Sequence, residues 1–321
     1  MRSVSALTLF LFLSGSLLVR SDHASAQSSL IKTRLAIPVS AMSQLPILVA
    51  KEKGIFSREG LEVEIIEIRA ALAIPALTSG QIDFSTTAET TIRRAVSGLP
   101  LKALGFMGIR PSLVLMSRPE TRSVADLKGG KIAVTSLRAT TDFVARDIVR
   151  HFGLNPEKDI VSMAVGSGQN KLAALKSGAV EAAIVTLPED IIGEKMGLKK
   201  LAFAWDYVEG LQAGLAATDK KIREERDTVL RMARAFVKAL SLVRQDREST
   251  VALVVRLYKL NRNEADSSLD QMVKTFSPDG EAPEHLIRQL IEEVKLEQKI
   301  NREIALSQVV DFSFIRQARS Q

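Results

Sequence analysis

Segments of strand and helix character alternate along most of this chain, and the alternation limits its fold more than any other feature of the sequence. Helix-like segments that close near glycines, such as Gly80 and Gly98, separate the strand-like ones. Such alternation is typical of an α/β protein built on a parallel sheet. The first four strand-like segments are Thr33–Pro38, Leu61–Ile68, Ile82–Ser85 and Leu101–Met107.

A second block of alternating segments begins near residue 113. Each block has roughly 80 to 100 residues, a usual size for one compact domain, so the sequence predicts two lobes. The strand-like segments of the second block are Leu113–Ser117, Lys131–Thr135, Ile160–Val165, Val180–Thr186 and Leu201–Trp205.

Amphipathic helices are predicted in both the middle and the last third of the chain. The segment Thr141–Phe152 is expected to bury one apolar stripe. After Thr218 the strand signals stop, and the helices that follow must bury their apolar faces on another element. We expect them to pack on the first lobe, which would make that lobe discontinuous in sequence. The expected stripe of the middle helix consists of Phe143, Val144, Ile148, Val149 and Phe152.

The first 26 residues have the layout of a secretory signal peptide. Arg2 precedes an apolar stretch over Ala6–Val19, and the small residues Ala24–Ala26 precede Gln27. A membrane anchor is the alternative, but a span needs about 20 apolar residues, and Arg20 ends this stretch. Because the chain has no cysteine, it also lacks the attachment site of a lipoprotein. We therefore expect a free periplasmic protein, released through a cleavable signal peptide.

The charge of the chain argues against a nucleic-acid partner. The formal net charge is +7, and it becomes +6 when Arg2, Arg20 and Asp22 leave with the signal peptide. The basic residues are scattered, and one Trp and two Tyr offer few rings for stacking on single-stranded bases. The excess positive charge suits an anionic ligand or simply keeps the protein soluble.

The sequence contains few residues suited to catalysis. It has three histidines and no cysteine, and His23 lies within the predicted signal peptide. No zinc-protease, nucleophile-elbow, P-loop or dinucleotide-binding motif is present. The glycines at Gly166 and Gly168 are interpreted as a tight turn between a strand and a helix. We therefore predict no enzymatic activity, no cofactor and no metal site.

Small polar residues follow several predicted strands in both blocks. In open α/β sheets the carboxyl ends of the strands face the ligand crevice, where helix N-termini offer free N–H groups. The alternative is that these residues are helix N-caps, for which Ser and Thr are also favoured. The candidates are Ser40, Ser43, Thr87, Glu89, Thr135, Ser136, Arg138, Thr140, Thr141 and Thr186.

Six collinear segments resemble one bacterial family. They are similar to ABC-transporter solute-binding proteins of the sulfonate/nitrate/taurine and thiamine-pyrimidine-precursor type. The matching segments are LPILVAKEKGIFSREGLEVEII (Leu45–Ile66), LTSGQIDFSTTAETTIRRAVSGLPLKAL (Leu77–Leu104), SVADLKGGKIAV (Ser123–Val134), GLNPEKDI (Gly153–Ile160), LAALKSGAVEAAIVTLP (Leu172–Pro188) and DFSFIRQA (Asp311–Ala318).

The resemblance implies a type II periplasmic-binding-protein fold, in which two α/β lobes close on a ligand cleft like a hinge. The expected organisation is a signal peptide over 1–26, lobe I from 27–112 and 211–321, and lobe II from 113–210. We place the two crossovers near Arg110–Leu113 and Asp206–Gln212.

The resemblance also implies which loops contact the ligand. These are Ser40–Gln44, which includes Met42, and Thr87–Glu89, Thr135–Thr141 and Thr186–Glu189. Two arginines in or near these loops, Arg110 and Arg138, are either bidentate ligands of a sulfonate or carboxylate or ordinary surface residues. The stretch Ser40–Met42 lacks the aromatic residue that many relatives have there, which weakens the case for stacking on a flat ring.

The leading hypothesis is a monomeric periplasmic receptor that captures a small anionic or polar organic molecule. It would deliver this ligand to the permease of an ABC importer at the inner membrane. A second hypothesis is an enzyme that resembles the pyrimidine-precursor synthases on the same fold, although those use His and Cys near the site. A third is a module that presents its closed form to a membrane sensor. The sequence leaves the ligand unidentified.

Overall fold

The computed structural model describes residues 30–38 and 41–320, so the predicted signal peptide lies outside the described residues. The described strands form two sheets of five strands each. Their bounds are β1 Ile31–Ile37, β2 Leu61–Glu67, β3 Phe84–Ser85, β4 Leu101–Ala103, β5 Leu113–Ser117, β6 Gly130–Val134, β7 Ile160–Ala164, β8 Ala182–Thr186, β9 Lys199–Phe203 and β10 Ala216–Thr218.

Helices follow most of the strands and make up the last third of the chain. Those of the first 203 residues are α1 Leu45–Glu52, α2 Ile55–Arg58, α3 Ala70–Thr78, α4 Ala88–Val96, α5 Thr140–His151, α6 Gly168–Lys176 and α7 Glu189–Lys195. The later ones are α8 Asp219–Glu224, α9 Arg226–Gln245, α10 Arg247–Tyr258, α11 Arg262–Val273, α12 Glu284–Gln298, α13 Leu306–Val309 and α14 Ser313–Arg319.

The two sheets have the same strand arrangement. Their orders are β2-β1-β3-β10-β4 and β7-β6-β8-β5-β9. Each sheet contains the predicted parallel strands together with an antiparallel exception: β10 is antiparallel to β3 and β4, and β5 is antiparallel to β8 and β9. Both exceptions have one cause: each of these strands enters its sheet directly from a connection with the other sheet.

Two connections join the sheets, one between β4 and β5 and one between β9 and β10. They run side by side, since the amides of Leu104 and Met107 donate to the carbonyls of Leu215 and Ala213. Between these bonds the backbones approach so closely at Gly214 that a β-carbon there would lie 2.2 Å from the carbonyl oxygen of Gly105. The predicted lobe boundaries at 112/113 and 210/211 stay predictions.

The C-terminal helices pack on the first sheet and its helices, as their amphipathic patterns predict. Helix α9 contacts α1 and α14, and α12 contacts α4. The buried carboxylate of Glu59, which follows α2, accepts a hydrogen bond from Arg234 on α9 at 2.7 Å and pairs with Lys238 one turn later. We call β1–β4, β10 and the helices packed on them the first lobe, and β5–β9 with α5–α7 the second lobe.

Helix α5 buries a narrower stripe than its sequence predicts. Val144, Ile148 and Val149 are buried. Phe143 and Phe152 are instead 53% and 40% exposed, so their assignment to the buried stripe is wrong. At about 100° per residue, position 143 lies about 100° or more around the helix from Val144, Ile148 and Val149, and so faces away from the sheet. Phe152 comes after His151, the last residue of the helix.

Within the described residues, no helix is both long and apolar enough to cross a bilayer.

Candidate ligand-binding site

Apart from Arg110, the predicted site residues lie on the loops, or in the first helical turns, that follow the carboxyl ends of β1, β3, β6 and β8. In each sheet these strands include the central parallel pair. The edges at which parallel strands end are the usual places for ligands in open α/β sheets. The fold therefore gives each lobe one candidate polar edge.

The loop after β1 contributes less than predicted. Ser40 lies outside the described residues. Met42 is 1% exposed and packs within the hydrophobic core, so the structure places it in the core and not on a ligand-facing surface. Ser43 lines a narrow crevice beside the two connections.

The polar side chains of the loop after β3 and of the start of α4 bond to neighbouring residues of the same segment. The hydroxyls of Ser85 and Thr87 are hydrogen-bonded to each other at 2.8 Å, and Thr87 is 8% exposed. Thr87 is the N-cap residue of α4, but its side chain caps no amide of the helix. Glu89 is half-exposed and pairs with Arg93 at 3.2 Å on the same helix. Among these residues Glu89 is the more accessible to a ligand.

The loop after β6 is held in a fixed shape that exposes several polar groups. The buried Thr141 hydroxyl accepts a hydrogen bond from the Thr135 amide at 2.9 Å. Arg138 has a φ of 60°, a backbone conformation that is uncommon outside glycine and that often marks functional loops. The side chains of Ser136, Arg138 and Thr140 are exposed. None of them is the N-cap of α5, which is Ala139.

Asp142 anchors this loop from beneath. Its carboxylate is 2% exposed and accepts hydrogen bonds from Ser162 Oγ at 2.6 Å, Arg138 N at 2.8 Å and Arg146 Nε at 2.9 Å. Burial alone would raise the pKa of Asp142, but these donors outweigh it and the pKa is lowered. The loop is therefore tied to both α5 and β7 through one charged group.

Thr186 and Glu189 form a second fixed unit at the end of β8. Thr186 donates to Glu189 Oε2 from its hydroxyl at 2.7 Å and from its amide at 3.0 Å. The Glu189 carboxylate lies over the first residue of α6, and a β-carbon on Gly168 would be 1.9 Å from its Oε1. Because Gly168 has no side chain, the Glu189 carboxylate fits against it and covers the N-terminal end of α6.

A buried lysine lies between these two loops, and the sequence analysis missed it. Lys171 is 2% exposed, and its ammonium donates to Thr135 Oγ1 at 3.2 Å and to the carbonyl of Ile184. Burial lowers the pKa of Lys171, while the Glu189 carboxylate opposes part of that change. The signal was present in the sequence, because Lys171 occupies an apolar-stripe position between Gly168 and Leu172.

Arg110 lies on the first connection between the lobes, at the same crevice as Ser43. Its guanidinium is 3.9 Å from Glu209 on the second connection, and both side chains are more than 40% exposed. The crevice has no room for a water molecule in this structure. Its remaining lining includes Gln212, Met272 and Thr275, none of which the sequence analysis selected.

The structure thus separates the predicted residues into groups. One group, Thr135, Thr141 and Thr186, lies at the strand ends of the second sheet, where Thr135 contacts Lys171 and Thr141, and Thr186 contacts Glu189. Ser43 and Arg110 lie at the connections. Within the described residues, no cluster of His, Asp or Glu could hold a metal ion.

Two lobes of matching strand order, joined by two connections and bearing polar loops at the strand ends, define an α/β protein with the type II periplasmic-binding fold. The sequence model of the family described as "NMT1/THI5 like" matches residues 42–249, which is well over half of the chain. The chain belongs to this family.

Solved binding proteins share the fold over nearly the whole chain. The periplasmic aliphatic sulphonate binding protein SsuA from Escherichia coli has a TM-score of 0.70 at 18% identity, covering 90% of this chain and all of SsuA. The periplasmic nitrate-binding protein NrtA from Synechocystis has a TM-score of 0.69 at 15% identity, covering 91% of this chain and 89% of NrtA. The predicted fold class is confirmed.

Curated relatives by sequence include proteins of thiamine biosynthesis. A Haemophilus influenzae protein whose name refers to that pathway is 31% identical over 142 residues, 43% of this chain and 44% of the relative. The 4-amino-5-hydroxymethyl-2-methylpyrimidine phosphate synthase of Schizosaccharomyces pombe is 27% identical over 144 residues, 44% of this chain and 40% of the synthase. The chain spans about two fifths of the length of these relatives.

Proposed function

We propose that this chain is a periplasmic solute receptor that captures a small anionic or polar organic molecule between its lobes and delivers it to the permease of an ABC importer. The observation that carries the proposal is the pair of matching sheets with polar loops at their strand ends, joined by two adjacent connections. Two such connections form a natural hinge for closure around a ligand. The receptor acts as a monomer, with lobe I formed by 27–112 and 211–321 and lobe II by 113–210.

A thermal-shift screen of the protein without its first 26 residues tests this proposal. Aliphatic sulfonates, nitrate and aminopyrimidines make up the panel, since these classes appear in the names of the similar proteins. A ligand at a hundred times its dissociation constant stabilises the folded state by about 2.7 kcal/mol, which a melting curve readily detects. A protein whose melting point no compound raises at millimolar concentration would contradict the proposal.

An enzyme is the second candidate function, because synthases are among the sequence relatives. We predict no turnover, since catalysis needs a nucleophile and base or a metal site, and the described residues show no metal-binding cluster. Incubation with a ligand from the screen, followed by mass spectrometry, measures the outcome. Recovery of chemically altered ligand in excess over protein would establish the enzyme instead.

Two hydroxyls of the loop after β6 are expected to contribute to capture. Replacing Ser136 or Thr140 by alanine should weaken the binding of an anionic ligand about ten- to a hundredfold, the cost of one hydrogen bond to a charged group. The melting point without ligand should stay nearly unchanged, because both side chains are exposed. Calorimetric titration and thermal melts separate the two effects.

Ser177→Ala is the matched control, since Ser177 is also exposed but lies at the opposite end of α6. It should leave affinity unchanged. If Ser136→Ala and Thr140→Ala bind as tightly as the wild type, this loop does not contact the ligand. If both melt far below the wild type without ligand, the two hydroxyls stabilise the fold instead.

A further inference from the structure

The Lys171 ammonium determines how the Thr135 hydroxyl can bond. A hydroxyl carries one proton and two acceptor lone pairs, whereas an ammonium group only donates. Thr135 Oγ1 therefore accepts from Lys171 Nζ at 3.2 Å, and within the described residues it makes this one hydrogen bond. Its own proton remains available, and the Thr135 side chain is exposed. Thr135 can thus act as a donor to a bound molecule.

The Glu189 carboxylate gives the Thr186 hydroxyl the opposite polarity. A carboxylate only accepts hydrogen bonds, so the 2.7 Å contact uses the hydroxyl proton of Thr186. The lone pairs of Thr186 Oγ1 remain open, and its side chain is also exposed. The Thr186 amide holds the same carboxylate oxygen, which keeps this arrangement in place. Thr186 can thus act as an acceptor.

The two hydroxyls belong to neighbouring strand ends. Strands β6 and β8 are parallel and paired at Ile132–Ala182 and Ala133–Ala183, so their chains lie about 4.8 Å apart. Lys171 Nζ bonds to Thr135 and to the carbonyl of Ile184, two residues before Thr186, and so spans the gap between them. Glu189, the hydrogen-bond partner of Thr186, also lies near enough to Lys171 to act on its pKa. The two hydroxyls are thus linked through Lys171 and Glu189, so that one ligand can contact both.

Building on the receptor function proposed above, we propose that Thr135 and Thr186 select a ligand that presents a hydrogen-bond acceptor and a donor on one edge. Lys171 and Glu189 are positioning residues that set the polarity of the two hydroxyls. An amino group adjacent to an oxygen or ring nitrogen satisfies both. A sulfonate or nitrate carries only acceptors, so it would place an oxygen against the lone pairs of Thr186 and the negative charge of Glu189.

Two matched pairs of probes test this selection, with each pair differing by one amino group. The pairs are 2-aminoethanesulfonate with ethanesulfonate, and 4-aminopyrimidine with pyrimidine. Calorimetric titration of the protein without its first 26 residues should give about tenfold or tighter binding for the amino member of at least one pair.

Substitutions at Thr186 and Glu189 should remove this preference. Thr186→Val keeps the shape but loses the lone pairs, and Glu189→Ala removes the acceptor that holds the hydroxyl proton, so both should bring the ratio of affinities close to one. Thr186→Ser should keep the preference. Lys171→Met should weaken both members of a pair alike, because it releases Thr135 but leaves Thr186 unchanged. Thr121→Val, in the loop before β6 at the opposite edge of the sheet, is the control and should change nothing.

Thermal melts of every variant without ligand verify folding. Equal or tighter binding of the acceptor-only probes by the wild type would overturn the proposed selection but leave the receptor function standing. A preference that survives Thr186→Val in a folded protein would also overturn it. If the wild type binds none of the four probes nor any compound of the wider screen, the receptor function itself fails, and the selection fails with it.

Discussion

Replacing Gly214 by alanine is expected to lower the free energy of unfolding by about 3 kcal/mol or more. The new β-carbon would lie 2.2 Å from the carbonyl oxygen of Gly105 and 2.8 Å from the Cα of Phe106. These neighbours are backbone atoms, so no side chain can rotate away. Hydrogen bonds on both sides, from Leu104 to Leu215 and from Met107 to Ala213, prevent the two chains from separating locally.

Gly210→Ala is the matched control on the same connection. A β-carbon at Gly210 would have only one atom nearby, the side-chain nitrogen Nε2 of Gln212 at 3.9 Å. Its unfolding free energy should change by about 0.5 kcal/mol or less, or rise slightly because alanine restricts the unfolded chain. Urea unfolding monitored by circular dichroism measures both variants. Equal stability of the two would show that the connections do not approach as closely as described.

Replacing Asp142 by alanine should cost about 3 kcal/mol, the usual loss when one partner of a buried ion pair is removed. The Arg138 amide and the hydroxyl of Ser162 would both lose their acceptor, and Arg146 would keep Glu157 and the carbonyl of Pro156. Because Asp142 holds the loop after β6, ligand affinity should fall together with stability. Urea unfolding and calorimetric titration measure the two losses.

The contribution of Asp142 should also depend on pH, with a defined sign. The folded-state pKa of this carboxyl is lowered. The stabilisation is therefore present in full above the unfolded pKa of about 3.9, and it is lost as the pH falls through the lower, folded-state value. The stability gap between the wild type and Asp142→Asn should thus be wide at pH 7 and narrower near pH 3.

Asp147→Ala is the control for both measurements, since Asp147 pairs with Arg150 on the exposed side of the same helix. Exposed pairs contribute about 1 kcal/mol or less. A loss at Asp142 no larger than at Asp147, or a gap that is independent of pH, would contradict the anchoring role.

The regular parts of the fold were predictable because their signals are local. The strand Leu113–Ser117 has the predicted bounds, and the strand that begins near Lys131 is shifted by one residue. The stretch predicted as Leu101–Met107 is a strand only to Ala103. Beyond that point its amides bond to distant segments, such as Phe106 to the carbonyl of Gly280, and no local pattern encodes such partners.

The candidate site was predictable at the level of loops but not of individual contacts. The structure places the selected polar residues at strand ends, as predicted, because strand ends and helix starts have recognisable composition; their contact with a ligand stays a prediction. Whether a hydroxyl faces outward depends on its partner elsewhere in the chain, as with Thr87 on Ser85 and Thr135 on Lys171. Met42 is the reverse case. It was predicted to contact the ligand, but the hydrophobic core encloses it, and nothing in the sequence of its loop indicates this.

The late return of the chain to the first sheet has a consequence for biosynthesis. The second sheet is complete within residues 113–203, whereas in the first sheet β4 pairs with β10, at Ala216–Thr218. Domains usually acquire structure in the order of their synthesis, N-terminal first. Here we expect the reverse: the N-terminal lobe waits for its late strand and for the helices after it, while the middle of the chain already has all its strands. Limited proteolysis of nascent chains stalled at increasing lengths should show protection of residues 113–203 before that of residues 31–103.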